Sequence, residues 1–189
     1  MGAPNFKMTQ DIRKYLTILE EKEGSTKPVE LPFNRNKLKP IMSKKTIDVH
    51  YDVLTKNYFK KFNKEGDPFA EAGAYLHNIW WLQLKEPESS NLPIGSSKDL
   101  ILSSFGSIPK FKNEFKSIAT TINGNGWCAL MKNGTIRQIS NHKKVSNIIL
   151  LLDMWEHSYF LDYEADKSSY VDNFWKIINW DIVDSRILG

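Results

Sequence analysis

The sequence has one cysteine, Cys128, among 189 residues, no glycine-rich phosphate loop, and no apolar run longer than Ile148-Ile149-Leu150-Leu151-Leu152. Each shortage closes off a class of protein. A single thiol forms no disulfide within its own chain, so a small cross-linked secreted scaffold is excluded and a reducing compartment is expected. Five apolar residues make a strand, far short of the ~20 that cross a bilayer, so no membrane span is expected. No serine sits in a nucleophile elbow and no lysine follows a glycine-rich turn, which leaves acyl and phosphoryl transfer without local support. Charge of one sign is scarce as well: 26 Lys and Arg face 22 Asp and Glu, a net +4. The basic residues are interleaved with acids, so nucleic acid is not an expected partner, whereas a small anion needs only local positive potential. The opening Met1-Gly2-Ala3-Pro4 has no secretory apolar stretch, and Asp11, Glu20 and Glu21 argue against a mitochondrial targeting helix. The cytoplasm is the expected address, with the mitochondrial matrix as the alternative.

What is present is largely helical in period. Ile12, Tyr15, Leu16 and Leu19 form one apolar stripe over residues 9 to 22, stopped by Gly24. A linker follows at Ser25 to Pro28. Ser43 reads as the cap of a long helix over about 44 to 62, Gly66-Asp67-Pro68 as a break, and Phe69 to Leu84 as its antiparallel return. The Pro, Gly and Ser-rich stretch from Pro87 to Ser97 reads as a domain boundary, and Pro109 to about Thr121 as a third helix. Beyond Gly124 the period changes to that of strands. Trp127 to Met131 and Thr135 to Ile139 flank Asn133-Gly134, a hairpin signal in which both turn residues tolerate positive φ. Ile148 to Leu152 makes a third, buried strand, and Ser168 to Ile178 and Asp181 to Ile187 are helical. The expected fold class is α+β, an antiparallel helical hairpin followed by helices around a three-stranded antiparallel sheet. Three parts are expected: an extra N-terminal helix and linker (1–29), a hairpin domain (30–90) and a C-terminal domain (91–189).

Four histidines carry the rarer chemistry: His50, His77, His142 and His157. His50 and His77 fall mid-helix on apolar faces, one on each arm of the hairpin. Asp153 leaves the buried strand four residues before His157, and a carboxylate there is desolvated unless paired or bound to a metal. Together they would make a site of three imidazoles and one carboxylate. Taken singly, each has a plainer reading. A histidine on an apolar face is commonly a hydrogen-bonded core residue, an aspartate after a strand is commonly a helix cap, and spacing leaves zinc, iron and manganese equally open. Cys128, in a strand beside Trp127, reads as an inert buried thiol.

The segment Asp153-Met154-Trp155-Glu156-His157-Ser158-Tyr159 resembles the D-x-W-E-H-A-Y signature of the iron and manganese superoxide dismutases. Asp162-Tyr163, Tyr170-Val171-Asp172-Asn173-Phe174-Trp175 and Asn179-Trp180-Asp181 continue the resemblance. So do Phe105-Gly106-Ser107 with Phe111-Lys112, Gly124-Asn125-Gly126-Trp127, and the start at Leu31-Pro32-Phe33, Leu38, Pro40 and Ile41. It spans about residues 30 to 187. The resemblance implies that His50, His77, Asp153 and His157 are the ligands of one iron or manganese ion per subunit, with solvent as a fifth. It implies a cycle in which superoxide is alternately oxidised to oxygen and reduced to peroxide, at little change in buried charge. Tyr58, two turns after His50, matches the gateway tyrosine of the substrate funnel. Trp81, Trp127 and Trp155 match an aromatic shell around the ion. Glu156 matches a residue that crosses a homodimer interface to the partner's ligand histidine, here His157.

The chain departs from the family pattern in four respects. No glutamine stands at Gly73 or His142, the two places from which the family bonds the metal-bound solvent, so His142 would take that role and leave iron against manganese undecided. Leu54 and Phe160 replace a His and Tyr pair that bridges the dimer, and both are apolar together. Glu164 stands where an arginine is usual. Only 27 residues separate His50 from His77, about twenty fewer than in the family. The alternative implied by the fold is a structural subunit without catalysis. The N-terminal helix is expected to be dispensable and to recruit a partner.

Overall fold

The structure, a computed structural model, describes residues 25–188; the helix expected over residues 9 to 22 lies outside them. The first helix of the described residues, α1, runs continuously through Lys44–Ile47, a wider π-turned stretch Asp48–Thr55, and Lys56–Glu65. Ser43 starts it, its Oγ accepting from the Thr46 amide. Asp162 adds a second anchor, taking the Ser43 amide at 2.8 Å and the Thr46 hydroxyl at 2.7 Å. The π stretch was not legible in the apolar period. It widens the turn so that the Thr55 hydroxyl, five residues on, donates to the His50 carbonyl at 2.8 Å. Asp67 caps α2 (Pro68–Leu82), whose proline sits in the first turn where no amide proton is needed. The two helices pack as an antiparallel pair, with His50 opposite His77 and Tyr58 opposite Gly73.

The stretch read as a boundary contains the start of an unexpected helix, α3 (Gly95–Phe105). Its N-cap residue, Ile94, has no capping side chain. The cap comes instead from Asp184, whose carboxylate accepts the Ser96 amide at 3.1 Å and the Ser97 amide at 2.6 Å. A helix begun by a side chain 87 residues away leaves no local signature. Next comes α4 (Ile108–Thr120), capped by Ser107. The sheet consists of β1 (Gly126–Met131), β2 (Ile136–Ser140) and β3 (Ile148–Asp153), antiparallel in the order β2-β1-β3. Every residue of β1 and β3 is buried, whereas β2 lies at the edge with Arg137, Gln138 and Ser140 in solvent. At the hairpin only Gly134, φ 82°, is left-handed. Asn133 instead holds the turn with its side chain, accepting the Thr135 amide at 3.1 Å and hydroxyl at 2.8 Å.

Three helices complete the chain: α5 (Glu156–Tyr163), α6 (Lys167–Phe174) followed by a 3₁₀ turn Trp175–Ile177, and α7 (Trp180–Leu188). A contiguous apolar core includes Ile47, Leu76, Trp80 and Trp81 from the hairpin with Phe111, Trp127, Leu151 and Phe174 beyond it. Arg186 fixes α7 inside this arrangement, donating to the Ile79 carbonyl at 2.8 Å, the Gln83 side chain at 3.0 Å and the Ile149 carbonyl at 3.1 Å. Gln83 in turn accepts the Leu151 amide at 3.1 Å. The end of α2 and the last turn of the chain thereby set the height of β3, and with it the position of Asp153.

Candidate metal centre

Four elements deliver four donor atoms to one buried point. His50 comes from the π stretch of α1, His77 from α2, Asp153 from the last position of β3 and His157 from the first turn of α5. One donor atom from each lies within 4.8 Å of all the others. The Asp153 Oδ2 is 3.2 Å from His50 Nε2, 3.4 Å from His157 Nε2 and 3.8 Å from His77 Nε2. His50, His77 and Asp153 are fully buried, and His157 retains 16% side-chain exposure.

The hydrogen bonds around the cluster decide what these atoms can do. His77 Nδ1 lies 2.6 Å from the Gly73 carbonyl, which only accepts, so Nδ1 carries the proton and Nε2 presents a lone pair. That lone pair faces a carboxylate oxygen in a dry site. Asp153 uses Oδ1 to accept the Trp155 amide at 2.8 Å, which leaves Oδ2 free. None of the four converging atoms has a hydrogen-bond partner among the described residues, although each is buried. Orphaned donors and acceptors at one point are costly unless a cation sits between them. Burial drives His50 down to about 4 and His77 well below the usual imidazole value, which keeps both rings neutral. Burial alone would raise the Asp153 carboxyl, but the adjacent His157 and His50 outweigh it and hold the group well below the usual carboxylate range. Neutral imidazoles beside an ionised carboxylate are the protonation state that binds a metal ion.

The aromatic residues expected near the site surround it. Trp81 lies 4.7 Å from His50, ring to ring, its indole N–H held by the Thr55 hydroxyl at 3.0 Å. Trp127 is edge-on to His77 at 5.0 Å, and Trp155 is 5.7 Å from His157. Tyr58 sits 5.2 Å from His77 and 4.6 Å from His142, and burial together with Asp153 pushes its phenol up to about 12. His142 belongs to the same cluster. It follows β2 after Asn141, which takes φ 53°, and stacks on Trp155 at 4.4 Å. The Trp127 indole donates to its Nδ1 at 3.2 Å, so the ring's proton resides on Nε2, a buried atom without a hydrogen-bond partner among the described residues. Burial keeps this imidazole neutral, at about 4. Glu156 is exposed at the start of α5.

Sequence reasoning missed the braces behind these groups. The Ser158 and Tyr170 hydroxyls both donate to the Asp153 carbonyl at 2.9 Å, and Thr55 supports His50 and Trp81 together. Phe69, exposed at the start of α2, packs 4.8 Å from His142. Only Ser158 and Tyr170 carried a signal, as members of the quoted motif stretches.

Three imidazoles and one carboxylate in a dry aromatic shell define a mononuclear metal-binding protein whose donors suit iron or manganese. A family model described as iron/manganese superoxide dismutases, C-terminal domain, matches residues 93–186. The superoxide dismutase [Fe] of Pyrobaculum aerophilum is 32% identical over 188 residues, covering 83% of this chain and 89% of that protein. The superoxide dismutase [Mn/Fe] of Porphyromonas gingivalis is 33% identical over 84% of this chain and 97% of its own length. The chain belongs to the iron/manganese superoxide dismutase family.

Proposed function

We propose that this chain is a superoxide dismutase, converting two superoxide anions and two protons into oxygen and hydrogen peroxide. The observation that carries the reading is the set of four buried, unpartnered donor atoms within 4.8 Å of one another, in a chain of this family. His50, His77, Asp153 and His157 would hold one iron or manganese ion, which when bound supplies the one-electron chemistry. The protein's own contribution is shape and protons. Trp81, Trp127 and Trp155 keep water and larger anions away from the donors. His142 is a neutral N–H donor whose tautomer Trp127 fixes, and Tyr58 is the half-buried phenol that joins it to the outside. A purely structural relative has no use for four unsatisfied donors at one point, so catalysis is the stronger reading.

The same reading makes the protein a homodimer. Glu156 is exposed beside His157, and Phe69, Phe160 and Leu161 are exposed apolar side chains. A twofold partner would cover such a patch and give Glu156 a histidine to hold. Residues 30–90 and 91–189 act as two units that share the site between them. No helix among the described residues is long and apolar enough to cross a membrane, and the buried Cys128 thiol suits a reducing cytoplasm.

Elemental analysis and a superoxide-consumption assay test the proposal together. About one iron or manganese per chain and activity lost on chelation are expected, and His77→Ala should lose both metal and activity. Full metal occupancy in that variant would overturn the ligand assignment; full occupancy in the native chain without superoxide consumption would overturn the activity.

A further inference from the structure

Away from the four-donor cluster, α4, α6 and the loop before α3 enclose an open cleft of about 500 Å³. Its floor is Trp175, and Leu92, Ile108 and Pro109 line its walls. One cation faces it. The Lys112 Nζ lies 5.2 Å from the centroid of the Trp175 ring, a cation–π contact with a largely buried indole. Lys112 is half-buried, yet no carboxylate pairs with it and no hydrogen bond reaches it among the described residues. Asn113 and the acid Asp172 also line the cleft, and the Asp172 carboxylate is turned to Lys116, with which it pairs at 2.5 Å. Burial is the sole influence on the Lys112 ammonium and lowers its pKa. An ammonium drawn partly out of water without a counter-ion leaves a favourable contact unmade, and an anion arriving in the cleft would make it. The apolar walls beside it fit a body of matching hydrophobicity, and the cleft's volume is that of a small-molecule site.

We propose that this cleft binds an amphipathic monocarboxylate, an aryl or medium-chain acid. Its carboxylate pairs with Lys112 and its apolar body lies on Trp175, Leu92, Ile108 and Pro109. The site is independent of the metal and of the reading given above for the cluster. Calorimetric titration of the full-length chain with 2-naphthoate tests it, alongside the uncharged 2-naphthylmethanol. Saturable one-to-one binding of the acid is expected, with the alcohol weaker by about tenfold. Lys112→Met should lose about that same factor for the acid and none for the alcohol, whereas Lys112→Arg should stay within about threefold of the native chain. The site is located separately by labelling lysines with an amine-reactive reagent and reading each by mass spectrometry. Naphthoate should protect Lys112 and leave Lys110 unaffected. This experiment uses the native chain, so it decides the question even if Lys112→Met fails to fold. No saturable binding, equal affinity of acid and alcohol, undiminished binding in a folded Lys112→Met protein, or unprotected Lys112 would each overturn the proposal.

Discussion

The space above Gly73 constrains a single residue close to the donors. A Cβ built there lies 2.8 Å from the Tyr58 ring, closer than side chains approach, and 3.0 Å from the His142 ring, a tight contact. Gly73→Ala should therefore destabilise the protein by about 1–3 kcal/mol, the usual cost of overpacking. His142→Ala in the same chain should recover part of the loss, and a double-mutant cycle by urea denaturation would measure the coupling. Tyr163 offers a test by pH. Its hydroxyl donates to the Ile41 carbonyl at 2.8 Å, and burial, aided by the adjacent Asp162, pushes the phenol up to about 12. The folded state holds this proton more tightly than the unfolded chain does. Its contribution is thus complete below pH ~10 and lost as pH rises towards 12. Tyr170, fully buried, adds to the same alkaline loss. Urea midpoints between pH 8 and 11.5 should fall for the native chain and fall less steeply for Tyr163→Phe. At pH 7 that variant should be about 0.5–1.5 kcal/mol less stable, since the Ile41 carbonyl loses its donor.

Among the elements, α3 depends on a residue outside itself. Asp184→Ala removes the acceptor of the Ser96 and Ser97 amides, and about 1.5–3 kcal/mol of stability should go with it, as for hydrogen bonds to a charged group. Hydrogen exchange at those two amides should accelerate more than elsewhere in the helix. Gly95 belongs to the same junction. It takes φ 44°, and a Cβ there would fall 2.0 Å from the Asp184 carboxylate. This dependence is also why the sequence of α3 carries no start signal and Pro87 to Ser97 reads only as a boundary. The elements that position the donors were far more legible. The helical period alone set His50 and His77 on facing arms, and the apolar run ending at Asp153 marked a buried strand. The π stretch was not legible, because the wider turn that lets Thr55 reach back to the His50 carbonyl leaves no mark in the apolar spacing. Nor was the Asn133 turn, where a side-chain acceptor did the work expected of a second left-handed residue.

At the scale of the whole molecule, oligomeric state is the open variable that experiment can close quickly. Sedimentation of the native chain at micromolar concentration should give about 44 kDa, twice its 21.9 kDa mass. The turn at Gly66 and Asp67 joins the two hairpin arms directly, and a hairpin this short has little height for a second interface that would build a tetramer. Glu156→Ala should shift the equilibrium towards monomer and lower metal retention together, since the partner's site would lose its brace. A fully metallated, active monomer would show that Glu156 acts within one subunit only.

Crowding at Gly73 also bears on descent. The rings of Tyr58 and His142 together occupy the volume into which a side chain at position 73 would have to project, so position 73 does not mutate independently of either. A lineage that acquires bulk at 73 while His142 is in place passes through an overpacked intermediate. One that first shrinks residue 142 passes through a cavity beside Trp127, whose indole has lost its acceptor. Both routes cross a less fit ancestor, and which is open depends on how much stability the ancestor had to spare. Replacement of either residue should therefore be rare, and should occur in backgrounds that had already become more stable for unrelated reasons.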